Sequence, residues 1–243
     1  MIRLCVIGNP ISHSKSPEIH TELLRKAGIA GCYSAVRVLP EELPEFVHFA
    51  KAGAWDGFNV TMPHKETILP LLDEISPTAK AIGGVNTVVI HHGRAVGHNT
   101  DAPGLLEAIN GPVAGKTALI LGFGGAGKAA AYALSQAGAT VKVCCRHPKA
   151  GQYNWNKLTN LAAGCDILVN ATPLGMIGGE KWLDFSFLDG MAHNSLVFDM
   201  VYGPAPTALT AEAQRRGLAA MDGRELLQKQ AEIAFSLFTA RCK

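Results

Sequence analysis

The segment Leu121-Gly122-Phe123-Gly124-Gly125-Ala126-Gly127-Lys128-Ala129 carries the most distinctive chemical pattern in the chain, because the glycines at 122, 124 and 127 form G-x-G-x-x-G. An apolar strand, Thr117–Leu121, precedes it. An Ala-rich helix from Lys128 to Ala137 follows, Gly138 closes that helix, and a second strand begins at once. In a β–Gly–α–β context the glycines permit a tight turn and close backbone approach, and the helix N-terminus holds a pyrophosphate. The alternative, a Gly-rich turn with no ligand, does not require this context. The second strand, Val141–Cys145, runs into Arg146-His147-Pro148-Lys149. An NAD enzyme usually places Asp or Glu there, on the ribose 2′-hydroxyl. No acid is present, and Arg146 and Lys149 can hold a 2′-phosphate, so the pattern predicts NADP(H) over two merely solvated cations.

The first half of the chain holds polar residues at strand ends. Ser14 and Ser16 lie between a strand and a helix. Ser16 has a structural explanation as helix N-cap with Pro17 at the first helical position. Ser14 has no such duty, and two hydroxyls at a helix start suit a carboxylate. Lys65 ends Asn59-Val60-Thr61-Met62-Pro63-His64-Lys65 after another strand, and it reads equally as an exposed lysine in a helix's first turn. Asn86 falls in the strand-like run Val85–Ile90, where a buried amide needs partners. Asp101 ends Asn99-Thr100-Asp101, just before a short helix.

These residues need an alternating scaffold, and the sequence supplies one. Strand-like runs at Ile2–Ile7, Tyr33–Val38, Phe58–Val60, Thr117–Leu121, Val141–Cys145, Ile167–Asn170 and Leu196–Met200 alternate with helical stretches. That argues for α/β architecture with mostly parallel sheets. One helix opens at Ser16-Pro17 and closes at Gly28, and another starts at Pro40-Glu41-Glu42. Val85–Ile90 and Ala95–His98 read as a hairpin around His92-Gly93-Arg94, and a last helix spans about Glu225 to Arg241. Gly111-Pro112-Val113-Ala114-Gly115 marks a boundary between two domains of about 110 and 130 residues.

Composition narrows the class. Of 243 residues, 48% are hydrophobic and 17% charged, which supplies a packed core. A net charge of +2 without basic runs argues against nucleic acid or an acidic membrane surface as partner. The apolar runs are strand-length, short of the ~20 residues of a membrane span, and the N-terminus reads as a strand rather than a signal peptide. Six cysteines without C-x-x-C spacing, and scattered histidines, predict free thiols in a reducing cytoplasm and no metal.

Taken together, the chain resembles the shikimate dehydrogenase family along nearly its whole length. Gly8 to Pro17 looks like the family's opening, and Gly57-Phe58-Asn59-Val60-Thr61-Met62-Pro63-His64-Lys65 is similar to its lysine motif. Gly84-Val85-Asn86-Thr87, Asn99-Thr100-Asp101, Asn170 to Met176, Asp199 to Pro204, and Gln230-Ala231 with Ala234-Phe235 also match. The resemblance implies an N-terminal α/β substrate domain (1–101, with helix 225–243 returning to it) and a C-terminal Rossmann NADP-binding domain (102–224), with the active site in a cleft between them. It implies reversible reduction of 3-dehydroshikimate to shikimate by NADPH. Lys65 and Asp101 would be the catalytic pair, and Ser14 and Ser16 would hold the substrate carboxylate. Thr61, Asn86, Tyr202 and Gln230 would bind the carboxylate or ring hydroxyls. Gly122, Phe123, Gly124, Gly125, Ala126, Arg146, Thr172, Met200 and Gly223 would lie along the cofactor.

A cationic lysine suits this reaction, because negative charge builds on the carbonyl oxygen as hydride adds to carbon. Three departures stand out. Cys145-Arg146-His147 replaces the family's Asn-Arg-Thr, and His98 stands where Asp is frequent. Only 23 residues separate Arg146 from Asn170, roughly a dozen fewer than expected for a parallel crossover, and Gly and Pro disfavour a helix over 147–152. The rival readings are a relative that also oxidises quinate and a non-catalytic sensor of the same ligands. Monomer and homodimer both remain open.

Overall fold

The computed structural model describes residues 1–203 and 206–240. Pro204, Cys242 and the expected helix end at Arg241 lie outside the described residues. The chain divides into two compact units: Met1–Gly104 together with the chain from Gln228 onward, and Leu105–Leu227.

The first unit contains β1 (Ile2–Gly8), α1 (Ser16–Lys26), β2 (Gly31–Arg37), α2 (Leu43–Phe49), β3 (Gly57–Val60), α3 (His64–Thr67), β4 (Glu74–Ile75), α4 (Pro77–Ile82), β5 (Thr87–His91) and β6 (Arg94–His98). Its six strands are ordered β2-β1-β3-β5-β6-β4. The pairings are parallel except where β5 runs against β3 and β6. That hairpin turns through His92 and Gly93 at φ 48° and 73°, the left-handed pair that a two-residue turn demands.

β1 is nearly all apolar because both its faces are covered. Cys5 and Ile7 pack with Phe58, Val60 and Val47, while Ile2, Leu4 and Val6 pack on the other face with Leu24 and Phe238. Gly57 makes room there, since a Cβ would sit 2.6 Å from the Phe238 ring.

His20, on α1, is fully buried in this second cluster. Its ring stacks on Tyr33 at 4.3 Å and 2°, and neither ring nitrogen finds a partner among the described residues. Burial pushes its pKa down to about 3. A group depressed in the folded state favours folding above its unfolded value of 6.5 and loses that favour as pH falls toward 3. Replacing His20 with Phe is therefore expected to remove about 2–3 kcal/mol of acid destabilisation between pH 7 and pH 4.5. Urea midpoints at the two pH values measure it, and an unchanged pH dependence would contradict the assignment.

The second unit begins within α5 (Asp101–Ile109) and continues through β7 (Thr117–Leu121), α6 (Gly125–Gln136), β8 (Thr140–Cys144), α7 (Leu158–Ala162), β9 (Ile167–Asn170), β10 (Leu196–Asp199), α8 (Ala208–Arg215), β11 (Ala219–Asp222) and the start of α9 (Gly223–Thr239). All five strands are parallel, in the order β11-β10-β9-β7-β8. Ala118 and Ile120 face one cluster and Leu119 and Leu121 the other, the period of two expected of a strand covered on both faces. Leu105 and Ala108 pack into the first of these. The division between units thus falls near Gly104 rather than at Gly111–Gly115.

Residues 147–152 contain no helix. The chain folds back at once, and Tyr153 makes a single parallel bridge to Cys144. Its backbone N–H reaches the Val143 carbonyl at 2.8 Å, and its own carbonyl accepts from Cys145 at 2.9 Å. One bridge thus stands where the six-stranded dinucleotide fold has a whole strand, and the crossover to β9 is left to α7.

Candidate functional site

The sheet of the first unit brings the polar strand-end residues to one edge. β1, β3 and β6 run in the same direction and end there, and antiparallel β5 begins there. Ser14, Ser16, Thr61, Lys65, Asn86 and Asp101 all follow or flank these ends.

A buried network of amides and hydroxyls fixes the backbone at this edge. Asn86 Oδ1 accepts from the Thr100 backbone at 2.8 Å, and Asn86 Nδ2 donates to Thr100 Oγ1 at 3.0 Å. Asn59 Nδ2 donates to the Asn86 carbonyl and to Thr87 Oγ1, while its Oδ1 accepts from the Tyr33 hydroxyl at 2.7 Å. Gln230, on α9, accepts from Thr100 Oγ1 at 3.4 Å. Asn59, Thr87 and Thr100 are supporting residues that the motif pattern does not single out. A polar amide inside the apolar strand at 57–60 is the available signal, by the logic applied to Asn86.

The helix-capping expectation for Ser16 is corrected. Lys15 occupies the cap position of α1, and Ser16 is already the first helical residue. Its side chain is buried. The Ser16 N–H is instead met by Ser14 Oγ at 3.3 Å. Ser14 therefore has a local structural role of its own, and its hydroxyl hydrogen is left for another acceptor.

Lys65 is not a surface lysine. Its Nζ donates to Asp101 Oδ2 at 2.6 Å, with the side chains only 19% and 10% exposed. The Lys65 carbonyl accepts from Val85 N, which ties α3 to the start of the hairpin. Asp101 opens α5, where the positive helix end favours a carboxylate. Among the described residues one ammonium N–H is used, which leaves two for an incoming oxygen. A partly buried cation with free donors, held by a fixed anion, can stabilise developing negative charge and pass a proton to it.

In the second unit, Gly122 takes φ +89°, and a Cβ there would press on Thr172 and Ala171. At Gly127 a Cβ would overlap the Gly122 carbonyl, whereas Gly124 faces open space. The α6 N-terminus, with Phe123, Gly125 and Ala126 around it, has no side-chain cap, so its first N–H groups are available to an anion. Arg146 lies just past β8 with its side chain 74% exposed, and Lys149 follows in the same exposed loop. An open glycine cradle, uncapped N–H donors and a reachable guanidinium fit a dinucleotide bearing a 2′-phosphate.

Two further loops are held by Asp199. Its carboxylate accepts from Asn170 Nδ2 at 2.8 Å, Thr207 Oγ1 at 2.6 Å and Val201 N at 3.1 Å. Burial raises its pKa against these hydrogen bonds, which lower it. Asn170 Oδ1 in turn accepts from the Thr172 hydroxyl at 2.6 Å. Met200 and Tyr202 follow β10 directly, and Gly223 packs so close to the Met200 carbonyl that a Cβ could not fit. Tyr202 belongs to the second unit, unlike the other expected substrate residues.

Comparison with known proteins places this geometry. Residues 6–88 match the model of the shikimate dehydrogenase substrate binding domain. Residues 94–197 match that of the NAD binding domain of D-isomer specific 2-hydroxyacid dehydrogenases. The chain is 40% identical to a shikimate dehydrogenase (NADP(+)) of Archaeoglobus fulgidus, across 98% of this chain and 93% of that one. The chain belongs to the shikimate dehydrogenase family. A Methylobacterium radiotolerans member is also 40% identical, over 96% of this chain and 89% of its own. The crystal structure of the Thermus thermophilus shikimate 5-dehydrogenase, in complex with NADP(H) and shikimate, superposes with a TM-score of 0.90 at 37% identity, over 99% of this chain and 94% of that one. Among the described residues, no helix is long and apolar enough to cross a membrane.

Proposed function

We propose that this chain is a cytoplasmic shikimate dehydrogenase, reversibly reducing 3-dehydroshikimate to shikimate with NADPH on the route to chorismate and the aromatic amino acids. The observation that carries the reading is the partly buried Lys65–Asp101 pair, 2.6 Å apart at a sheet edge lined with hydroxyls and amides. NADPH supplies the hydride that adds to the carbonyl carbon. Lys65 meets the carbonyl oxygen, offsets its growing negative charge and delivers the proton that completes the alcohol. Asp101 keeps the ammonium aimed, through the 2.6 Å hydrogen bond it accepts. In the oxidative direction the same pair takes up the hydroxyl proton.

Apart from Lys149, the remaining assignments are those that the family resemblance implies. Ser14 and Ser16 receive the substrate carboxylate, and Thr61, Asn86, Tyr202 and Gln230 bind the carboxylate or ring hydroxyls. Gly122 to Ala126 cradle the pyrophosphate, Arg146 and Lys149 hold the 2′-phosphate, and Thr172, Met200 and Gly223 line the rest of the cofactor. A ligand sensor would need no proton-transfer pair, which favours an enzyme.

Steady-state oxidation of shikimate and of quinate with NADP+ tests this reading. A much larger kcat/KM for shikimate is expected, and comparable values would favour the broader quinate/shikimate activity. Ser14→Ala is expected to raise KM for shikimate by roughly 3- to 30-fold, through one lost hydrogen bond to a carboxylate. Because Ser14 also meets the Ser16 N–H, a thermal melt is run alongside. Unchanged KM in a stable variant would show that the carboxylate sits elsewhere.

A further inference from the structure

Arg146 already has an anionic neighbour. Its Nη2 lies 3.6 Å from Glu180 Oε2, and the two side chains are 74% and 73% exposed. Glu180 belongs to the loop after β9, which is pinned by the Gly175 N–H donating to the Glu180 carbonyl at 2.8 Å and by the Gly179 N–H donating to the Met176 carbonyl. In the sheet β7 separates β9 from β8. The loop therefore reaches past the end of β7 to present a carboxylate at the end of β8, where this fold places its ribose-reading residue.

We propose that Glu180 is a specificity-determining residue that weakens discrimination for the 2′-phosphate. The inference rests on the assignment of Arg146 to that phosphate. With no 2′-phosphate bound, the carboxylate is the counter-ion of Arg146. A phosphate arriving on the guanidinium displaces it and then remains only a few ångströms from it. A nucleotide with a free 2′-hydroxyl brings no such charge and meets no such repulsion. Both side chains face solvent, so screened Coulomb repulsion sets a modest effect, on the order of threefold in affinity at low salt.

The test is calorimetric titration of the whole protein with adenosine 2′,5′-bisphosphate and with 5′-AMP, at low and high salt. Glu180→Gln is expected to tighten the bisphosphate about threefold at low salt, with the gain shrinking at high salt, and to leave 5′-AMP binding unchanged. Arg146→Gln, measured alongside, is expected to weaken the bisphosphate and spare 5′-AMP. If Arg146→Gln behaves so while Glu180→Gln changes neither ligand, or tightens both equally, the role of Glu180 is overturned and that of Arg146 stands. If Arg146→Gln weakens both ligands equally, the Arg146 assignment fails and the inference falls with it.

Discussion

Lys65→Met is expected to lower kcat for 3-dehydroshikimate reduction by at least about 100-fold, the low end for loss of a positioned acid–base group. Methionine keeps much of the side-chain length and removes the charge and all three donors. KM for the substrate should change far less, since the carboxylate and ring hydroxyls are assigned to other residues. NADP+ affinity should be retained, because the residues assigned to it lie in the second unit. Asp101→Asn is expected to lower kcat as well, by removing the anion that Lys65 Nζ meets at 2.6 Å. Near-wild-type turnover by Lys65→Met with normal NADP+ binding would remove the lysine from the mechanism.

A second large effect is expected in stability. Asp199→Ala removes the acceptor of three buried hydrogen bonds, from Asn170, Thr207 and Val201. A buried donor left without an acceptor costs about 1–3 kcal/mol. Some relaxation is available, because the Thr207 hydroxyl also lies 3.1 Å from Thr210 Oγ1. The expected loss is about 3–5 kcal/mol, a large share of the roughly 5–15 kcal/mol that holds a domain folded. Urea unfolding measures it, and a loss below about 1 kcal/mol would contradict the bracing role. In any folded fraction, KM for NADP+ should rise, since Asp199 holds the loops that carry Thr172 and Met200.

The strands were largely legible because central parallel strands are buried on both faces and read as apolar runs. Thr117–Leu121 and Ile167–Asn170 match the structure residue for residue. The absence of a helix over 147–152 was also readable, from Gly, Pro and a short interval. Other features were hidden for physical reasons. Ser16 has the residue type and the following proline that suit a cap, but the helix already includes it and Lys15 takes the cap position. Asn59 and Tyr33 meet only once β1 and its neighbours are paired, so no local pattern announces their bond. The Arg146–Glu180 pair spans 34 positions across two loops, and charge alone does not reveal it.

Reduction of 3-dehydroshikimate by NADPH, followed as loss of nicotinamide absorbance with the product identified by chromatography, is the most direct measurement. One shikimate is predicted for each NADPH consumed, in the wild-type protein, with Lys65→Met binding both ligands yet nearly inactive. If the wild-type protein binds both ligands and consumes no NADPH, the chain is a sensor of these molecules and Lys65 and Asp101 are not a catalytic pair.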